Sequence, residues 1–170
     1  MSRLALPSFA TLKANYPTDP DSPKVIQQLG GQLTQSWVGP NSCTMRMCKA
    51  FNYAGPQHAI PAHRRGLLTV VGGDGKNYAI RVLEFIDYLH ATYRAPDIVR
   101  TGARMTASAF SGKTGIIAWL IDGWSDARGH FTLWDGTAGL FEGGHHYFTN
   151  FGPGTPANGP HMVKVEFWTC

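Results

Sequence analysis

Two residues set the chemistry this chain could perform, Cys43 and His130. Cys43 stands in the run Asn41-Ser42-Cys43-Thr44-Met45-Arg46-Met47-Cys48-Lys49-Ala50-Phe51-Asn52-Tyr53. Gly39-Pro40-Asn41-Ser42 in front of it is turn and cap chemistry. Met45, Cys48 and Phe51-Asn52 then recur at helical spacing. The pattern predicts a short helix over Thr44–Asn52, capped by Ser42 and ended by Ala54-Gly55-Pro56, with Cys43 in its first turn. Unpaired backbone N–H groups and the helix dipole stabilise a negative charge there. That is how a thiol becomes a thiolate nucleophile near neutral pH. Cys48 lies inside the helix and lacks this help. A lone cysteine is more often a small buried hydrophobe than a nucleophile. The catalytic reading gains from a second stretch, Gly129-His130-Phe131-Thr132-Leu133-Trp134-Asp135-Gly136, where a histidine opens an alternating strand. A Cys–His enzyme needs a base distant in sequence and adjacent in the fold.

A thiolate that attacks an amide carbonyl needs a base beside it and a third group to orient that base. Gly136-Thr137-Ala138-Gly139 reads as a tight turn that returns Leu140-Phe141-Glu142 as a strand. Glu142 is then a near cross-strand neighbour of His130 and the candidate acid. Asp135 is its rival. Regular alternation points Asp135 away from His130, a β-bulge would reverse this, and turn chemistry with Gly136 is its purely structural role. Trp124 either walls a cleft or packs. Asp126 sits in the loop before His130, where capping a turn is the commoner role. His145-His146, read as strand residues, point to opposite faces, with no carboxylate or thiolate at ligand spacing. No metal site is expected. The three cysteines, Cys43, Cys48 and Cys170, are odd in number and irregularly spaced, which argues against a disulfide framework.

The elements that must position these residues follow from the rest of the chain. With 170 residues, 43% apolar and 15% charged, it fits one domain, 1–170, with a real core. Ser8–Lys13 predicts a short helix stopped by Tyr16-Pro17. Ser22 caps a second, with Pro23 first and Lys24–Leu29 following, ended by Gly30-Gly31. Residues 53–68 read as irregular. Tyr78, Val82, Leu83, Phe85, Ile86, Leu89 and Tyr93 predict a helix over Tyr78–Tyr93, closed by Pro96. Strands follow over Thr114–Ile121, His130–Asp135, Leu140–Glu142 and Val163–Thr169, with a Gly/Pro/Asn loop over Thr149–Pro160. Helices first and an antiparallel sheet after make an α+β domain.

The net charge of +4 is mildly basic, and Arg64-Arg65 is only a pair, so nucleic acid is not an expected partner. A basic surface does suit an anionic polymer such as cell wall. Met1–Pro7 lacks the apolar core of a signal peptide. No stretch reaches the ~18 apolar residues that span a membrane, so no membrane insertion is expected.

Asn41-Ser42-Cys43, Arg46-Met47 and Ala50-Phe51-Asn52-Tyr53 together resemble the active-site helix of the type VI secretion amidase effectors, family 4. So do Gly112-Lys113-Thr114-Gly115-Ile116-Ile117, Gly123-Trp124-Ser125-Asp126-Ala127, Gly129-His130 and Leu133-Trp134-Asp135-Gly136, in order and with fitting gaps. The resemblance implies a papain-like fold of the NlpC/P60 type, with the nucleophile at a helix start packed on an antiparallel sheet. It implies a secreted antibacterial toxin, a cysteine amidase that cuts peptidoglycan stem peptides between γ-D-glutamate and meso-diaminopimelate. The nucleophile would be Cys43 and the base His130; Asp126 becomes a candidate for the diaminopimelate amine. No metal or organic cofactor is implied. The implied partners are the peptide substrate, a cognate immunity protein and the type VI secretion apparatus, which carries a cytoplasmic product to the periplasm of rival bacteria. The family acid is an aspartate flanked by a cysteine pair. Here the region reads Leu140-Phe141-Glu142-Gly143-Gly144, so Glu142 matches best and the cysteine pair is absent. A deamidase or acyltransferase on the same scaffold, or an inactive cell-wall-binding module, are the alternatives. The presence of both Cys43 and His130 counts against the last.

Overall fold

The proline-punctuated start of the chain becomes two short helices, each ended by its own capping chemistry. Helix α1 (Phe9–Asn15) begins where Ser8 Oγ accepts from the Thr11 amide and stops at extended Tyr16, ahead of Pro17. Helix α2 (Ser22–Leu29) carries Pro23 in its first turn, but its cap is Asp21 and not Ser22. Asp21 Oδ1 accepts from the Lys24 amide at 3.0 Å. A carboxylate caps as well as a hydroxyl, and the Ser22 hydroxyl is used elsewhere, accepting from Ser42 Oγ at 2.9 Å. Helix α3 (Cys43–Asn52) is almost wholly buried and packs against α1 and α2. The structure, a computed structural model, describes residues 3–34, 36, 39, 41–136, 139, 140, 144–156 and 158–170, in two compact units, Met1–Arg94 and Ala95–Cys170.

The first unit also holds a hairpin that the helical reading of Tyr78–Tyr93 overran. Strands β1 (Thr69–Val71) and β2 (Asn77–Ala79) pair antiparallel, with Val70 opposite Tyr78. Helix α4 therefore starts later, at Val82, and runs to Thr92. The spacing of Tyr78 to Val82 fits a helix by accident. Asp74-Gly75 between two apolar runs is a hairpin signal. Asp74 fixes the turn: its Oδ2 accepts from Tyr78 Oη at 2.7 Å, Tyr53 Oη at 2.8 Å and Lys49 Nζ at 3.3 Å, and its Oδ1 from the Lys76 amide at 3.1 Å. Burial raises the Asp74 carboxyl, but these bonds outweigh it and bring its pKa down to about 2. Lys49 and Tyr53 lie at the C-terminal end of α3, so this carboxylate pins the hairpin to the far end of the Cys43 helix. The end of α2 is stitched to the same hairpin, through Gly73 N to Leu29 O and Gln32 N to Val71 O, both 2.8 Å. Gly31, at φ +67°, is required there, because a Cβ would collide with the Gly72–Gly73 backbone.

The second unit is a four-stranded antiparallel sheet in the order β3-β6-β4-β5, made of Ile98–Arg100, His161–Thr169, Gly115–Asp122 and Gly129–Trp134. The two central strands and β5 fall close to the segments that the sequence marks as strands. The three-residue β3 is too short to carry a pattern. Between β4 and β6 the pairing jumps from Leu120↔Lys164 to Ile121↔Met162. Val163 is thus left in a bulge and is 43% exposed, instead of sharing the core face with Val165 and Phe167. Gly144–Phe151 forms helix α5, where the sequence reading puts His145-His146 on a strand and starts a loop at Thr149. Tyr147, Phe148 and Phe151 share one helical face, and that face joins the core of Trp119, Trp134, Val165 and Phe167. Of the predicted return strand, Gly139 bridges to Trp134 and Leu140 N donates to Leu133 O at 2.9 Å. Phe141 and Glu142 lie outside the described residues.

Candidate active site

Cys43 is the first residue of α3, in the first unit. The helix opens where the Arg46 amide donates to Ser42 O at 2.9 Å. Ser42 occupies the cap position, but its side chain makes no capping bond. The expected hydroxyl cap is overridden by Arg46, whose Nε donates to Ser42 Oγ at 2.7 Å, while Ser42 donates onward to Ser22. Arg46 is fully buried, and its Nη1 donates to Pro17 O at 3.0 Å and Asp19 O at 2.7 Å. One guanidinium thus ties the segment before α2 to the residue that precedes Cys43. With the Ser42 hydroxyl turned away, the first amides of the helix keep the electropositive character that favours an anion at Cys43. Cys43 is 6% exposed, with Sγ 3.9 Å from Thr44 Oγ1.

Cys48, on the same helix, is chemically different. It is fully buried, its Sγ accepts from the Ala79 amide at 3.3 Å, and burial pushes its thiol far above the ordinary range. It is a core residue that joins α3 to β2. All three cysteines are free thiols, with Cys170 half-buried in the second unit.

His130 is the second residue of β5 and lies directly across from Trp119 of β4. It is 8% exposed. The Tyr147 ring, from α5, stacks on the imidazole at 4.4 Å between centroids and 15° between planes. Trp119 flanks both, 5.8 Å from His130 and 5.1 Å from Tyr147. Trp124 packs, edge-on, against Tyr147 at 6.0 Å and Phe151 at 5.2 Å. Asp126 is exposed in the loop before β5, and Asp135 is half-buried just after it. Glu142, the candidate acid, lies outside the described residues. Tyr147 carries no catalytic signature in the sequence, and Arg46 stands out there only as part of the block Arg46-Met47. Tyr147 shows itself only once Tyr147, Phe148 and Phe151 are read at helical and not strand spacing. Among the described residues no group of three or more His, Cys, Asp or Glu is placed to hold a metal ion, and no helix is long and apolar enough to cross a membrane.

Residues 40–168 match the family model of Tae4, the type VI secretion system amidase effector protein 4. The chain belongs to this family. Solved structures agree along almost its whole length. The Tae4 effector of Enterobacter cloacae is 27% identical over 99% of both chains, with a TM-score of 0.78. The Tae4–Tai4 effector–immunity complex from the same organism aligns at 28% identity over 96% of this chain and 98% of that one, with a TM-score of 0.75. The Tae4/Tai4 effector–immunity system of Salmonella typhimurium gives 30% identity over 96% and 98%, with a TM-score of 0.73. No curated protein matches the chain by sequence. The family resemblance of the motif blocks is therefore borne out, and so is the papain-like α+β class. As a Tae4-family member the chain is an amidase effector of type VI secretion.

Proposed function

We propose that this Tae4-family amidase uses Cys43 as nucleophile and His130 as base to hydrolyse the γ-D-glutamyl–meso-diaminopimelate bond of peptidoglycan stem peptides, with residues 1–170 acting as one catalytic domain. The observation that carries the reading is the family match over 40–168, a span that contains both Cys43 and His130. In the proposed cycle the Cys43 thiol gives its proton to His130, and the sulfur attacks the γ-glutamyl carbonyl carbon. Collapse of the tetrahedral oxyanion breaks the C–N bond, and the imidazolium returns the proton to the departing diaminopimelate amine. Water, deprotonated by His130, then splits the thioester, releases the glutamate carboxylate and restores the thiol. Glu142 is the proposed acid that holds the imidazole in the useful tautomer, with Asp135 as the rival.

Delivery by a type VI secretion apparatus to the periplasm of target bacteria completes the reading, as does a cognate immunity protein that masks the catalytic residues. Solved Tae4 effectors in complex with Tai4 support this partner. The test is chemical. Stem tetrapeptide or purified sacculi incubated with the protein should yield products cut at that one bond, identified by mass. A mass change of a single amide would point to deamidation, and binding without any change to an inactive module. In cells, the protein should lyse its host when an export signal is added and spare it otherwise.

The two acids are separated by amide substitution. Glu142→Gln should lower turnover about tenfold or more, since the base loses the charge that sets its tautomer. Asp135→Asn should act mainly on stability. The reverse result, with both variants folded, assigns the orienting role to Asp135.

A further inference from the structure

Histidine turns about its outer side-chain torsion with little preference, because that torsion is broad and two-fold. A general base, however, must hold one ring nitrogen within about 2.6–3.2 Å of the proton it takes. Something must therefore fix the plane of an imidazole that acts at the start of a strand. In this chain the His130 ring has Trp119 beside it, its direct partner on β4, and Tyr147 laid flat on it from α5. Tyr147 is within 22° of parallel to Trp119 and within 15° of parallel to His130, so one phenol ring covers the pair. The platform is itself braced. Phe148, the next residue of α5, stacks on Phe110 at 5.8 Å and meets the Trp134 ring edge-on at 5.8 Å. Trp124 closes on the Tyr147 ring from its edge.

We propose that Tyr147 is a positioning residue for His130: its ring blocks rotation of the imidazole and holds it in one plane. The proposal rests on the reading of His130 as the base. Stacking suits this task because it occupies the face of the imidazole. Both nitrogens lie in the ring plane, so stacking on the ring's face claims neither of them. A hydrogen bond from a side chain would fix the ring equally well but would consume one of those nitrogens. An aromatic pair of this kind adds a small attraction beyond the area it buries. That is modest for folding, but a misplacement of about 1 Å at a reacting group costs on the order of 100-fold in rate.

The experiment has two arms on the full-length protein. The first is proton NMR of the wild type, with the His130 signals assigned by their loss in His130→Ala. The imidazole carbon-bound protons should be shifted upfield by the ring above them and show cross-relaxation with the Tyr147 ring. Unshifted signals without that contact overturn the proposal, whatever any variant does. The second arm is kinetic, on the stem tetrapeptide. Tyr147→Leu should move the imidazole signals to ordinary positions and lower kcat about tenfold or more, with KM within about twofold. Tyr147→Phe should restore both. Should Tyr147→Leu fail to fold, Tyr147→Met takes its place, as a flexible apolar filler without a ring. An unchanged kcat once the ring is gone, or a Phe variant as slow as the Leu variant, overturns the proposal. Cleavage by His130→Ala would overturn the base assignment instead, so the two failures are distinguishable.

Discussion

Cys43→Ala is expected to abolish cleavage of the stem peptide, while Cys48→Ala keeps most of it. Loss of the nucleophile from a thiol–imidazole pair costs about 10⁴-fold or more, because no other group supplies the bond-forming electron pair. Cys48 is set up for the opposite role. It is fully buried, its sulfur takes the Ala79 amide, and burial holds it protonated. Its replacement removes a small volume from the core and strands one amide, a loss of about 1–3 kcal/mol in stability and little in rate per folded molecule. Product analysis by mass spectrometry gives the rates. Mass mapping after brief iodoacetamide treatment of the native protein should find the label on Cys43 and not on Cys48. Equal inactivation by both substitutions, in proteins that unfold at similar temperatures, would sink the assignment.

Arg46→Met should be the most damaging substitution to the fold outside the apolar core. The guanidinium is fully buried and donates to Ser42 Oγ, Pro17 O and Asp19 O. Methionine fills similar volume but takes the donor from all three oxygens, Ser42 Oγ in a buried place and the two carbonyls in partly buried ones. Each stranded polar atom costs about 1–3 kcal/mol. A total loss of about 3–5 kcal/mol is a large share of the roughly 5–15 kcal/mol that holds a domain of this size folded. Thermal unfolding followed by circular dichroism should show Tm lower by about 10 °C or more. Arg46→Lys keeps the charge but cannot reach all three oxygens with one ammonium group, so it should fall between the two. Ser42→Ala removes a single partner and should cost least. A Tm for Arg46→Met within a degree or two of wild type would mean the network carries no net stability.

The sequence read well wherever one pattern governed a segment. The Cys43 helix, β4 and β5 were found because their apolar periodicity is carried by residues that are in fact buried, such as Met45, Cys48, Ile117 and Phe131. It read poorly where two patterns overlapped. Tyr78 and Ala79 fit both the end of a hairpin and the start of a helix, and pairing with Val70 and Thr69 decided for the hairpin. His145-His146 fit a strand until Tyr147, Phe148 and Phe151 are seen to share a helix face. Caps failed for a different reason. Ser22 and Ser42 have the right chemistry for capping, but their hydroxyls bond to one another, and Arg46 claims the second. Such long-range claims on a short polar side chain leave no mark in local sequence. Cys43 and His130 are proposed from residue type and spacing together with motif resemblance. Arg46 and Tyr147 act on them through contacts 20 or more residues apart or across elements, and these become visible only in three dimensions.

The three free thiols bear on the toxin's safety to its maker. A structural disulfide adds about 2–4 kcal/mol, and only in an oxidising compartment. A protein stapled in this way can be loose in the cytoplasm and become firm after export, which makes oxidation a folding switch. Cys43, Cys48 and Cys170, all free, form no such staple among the described residues. Its Asp74 and Arg46 networks are made of ionic and neutral hydrogen bonds that form as readily under reducing as under oxidising conditions. On the delivery route proposed above, the enzyme is as well folded in the producing cell as in its victim. Protection falls to the separation of enzyme from cell wall, and to the immunity protein wherever that separation fails.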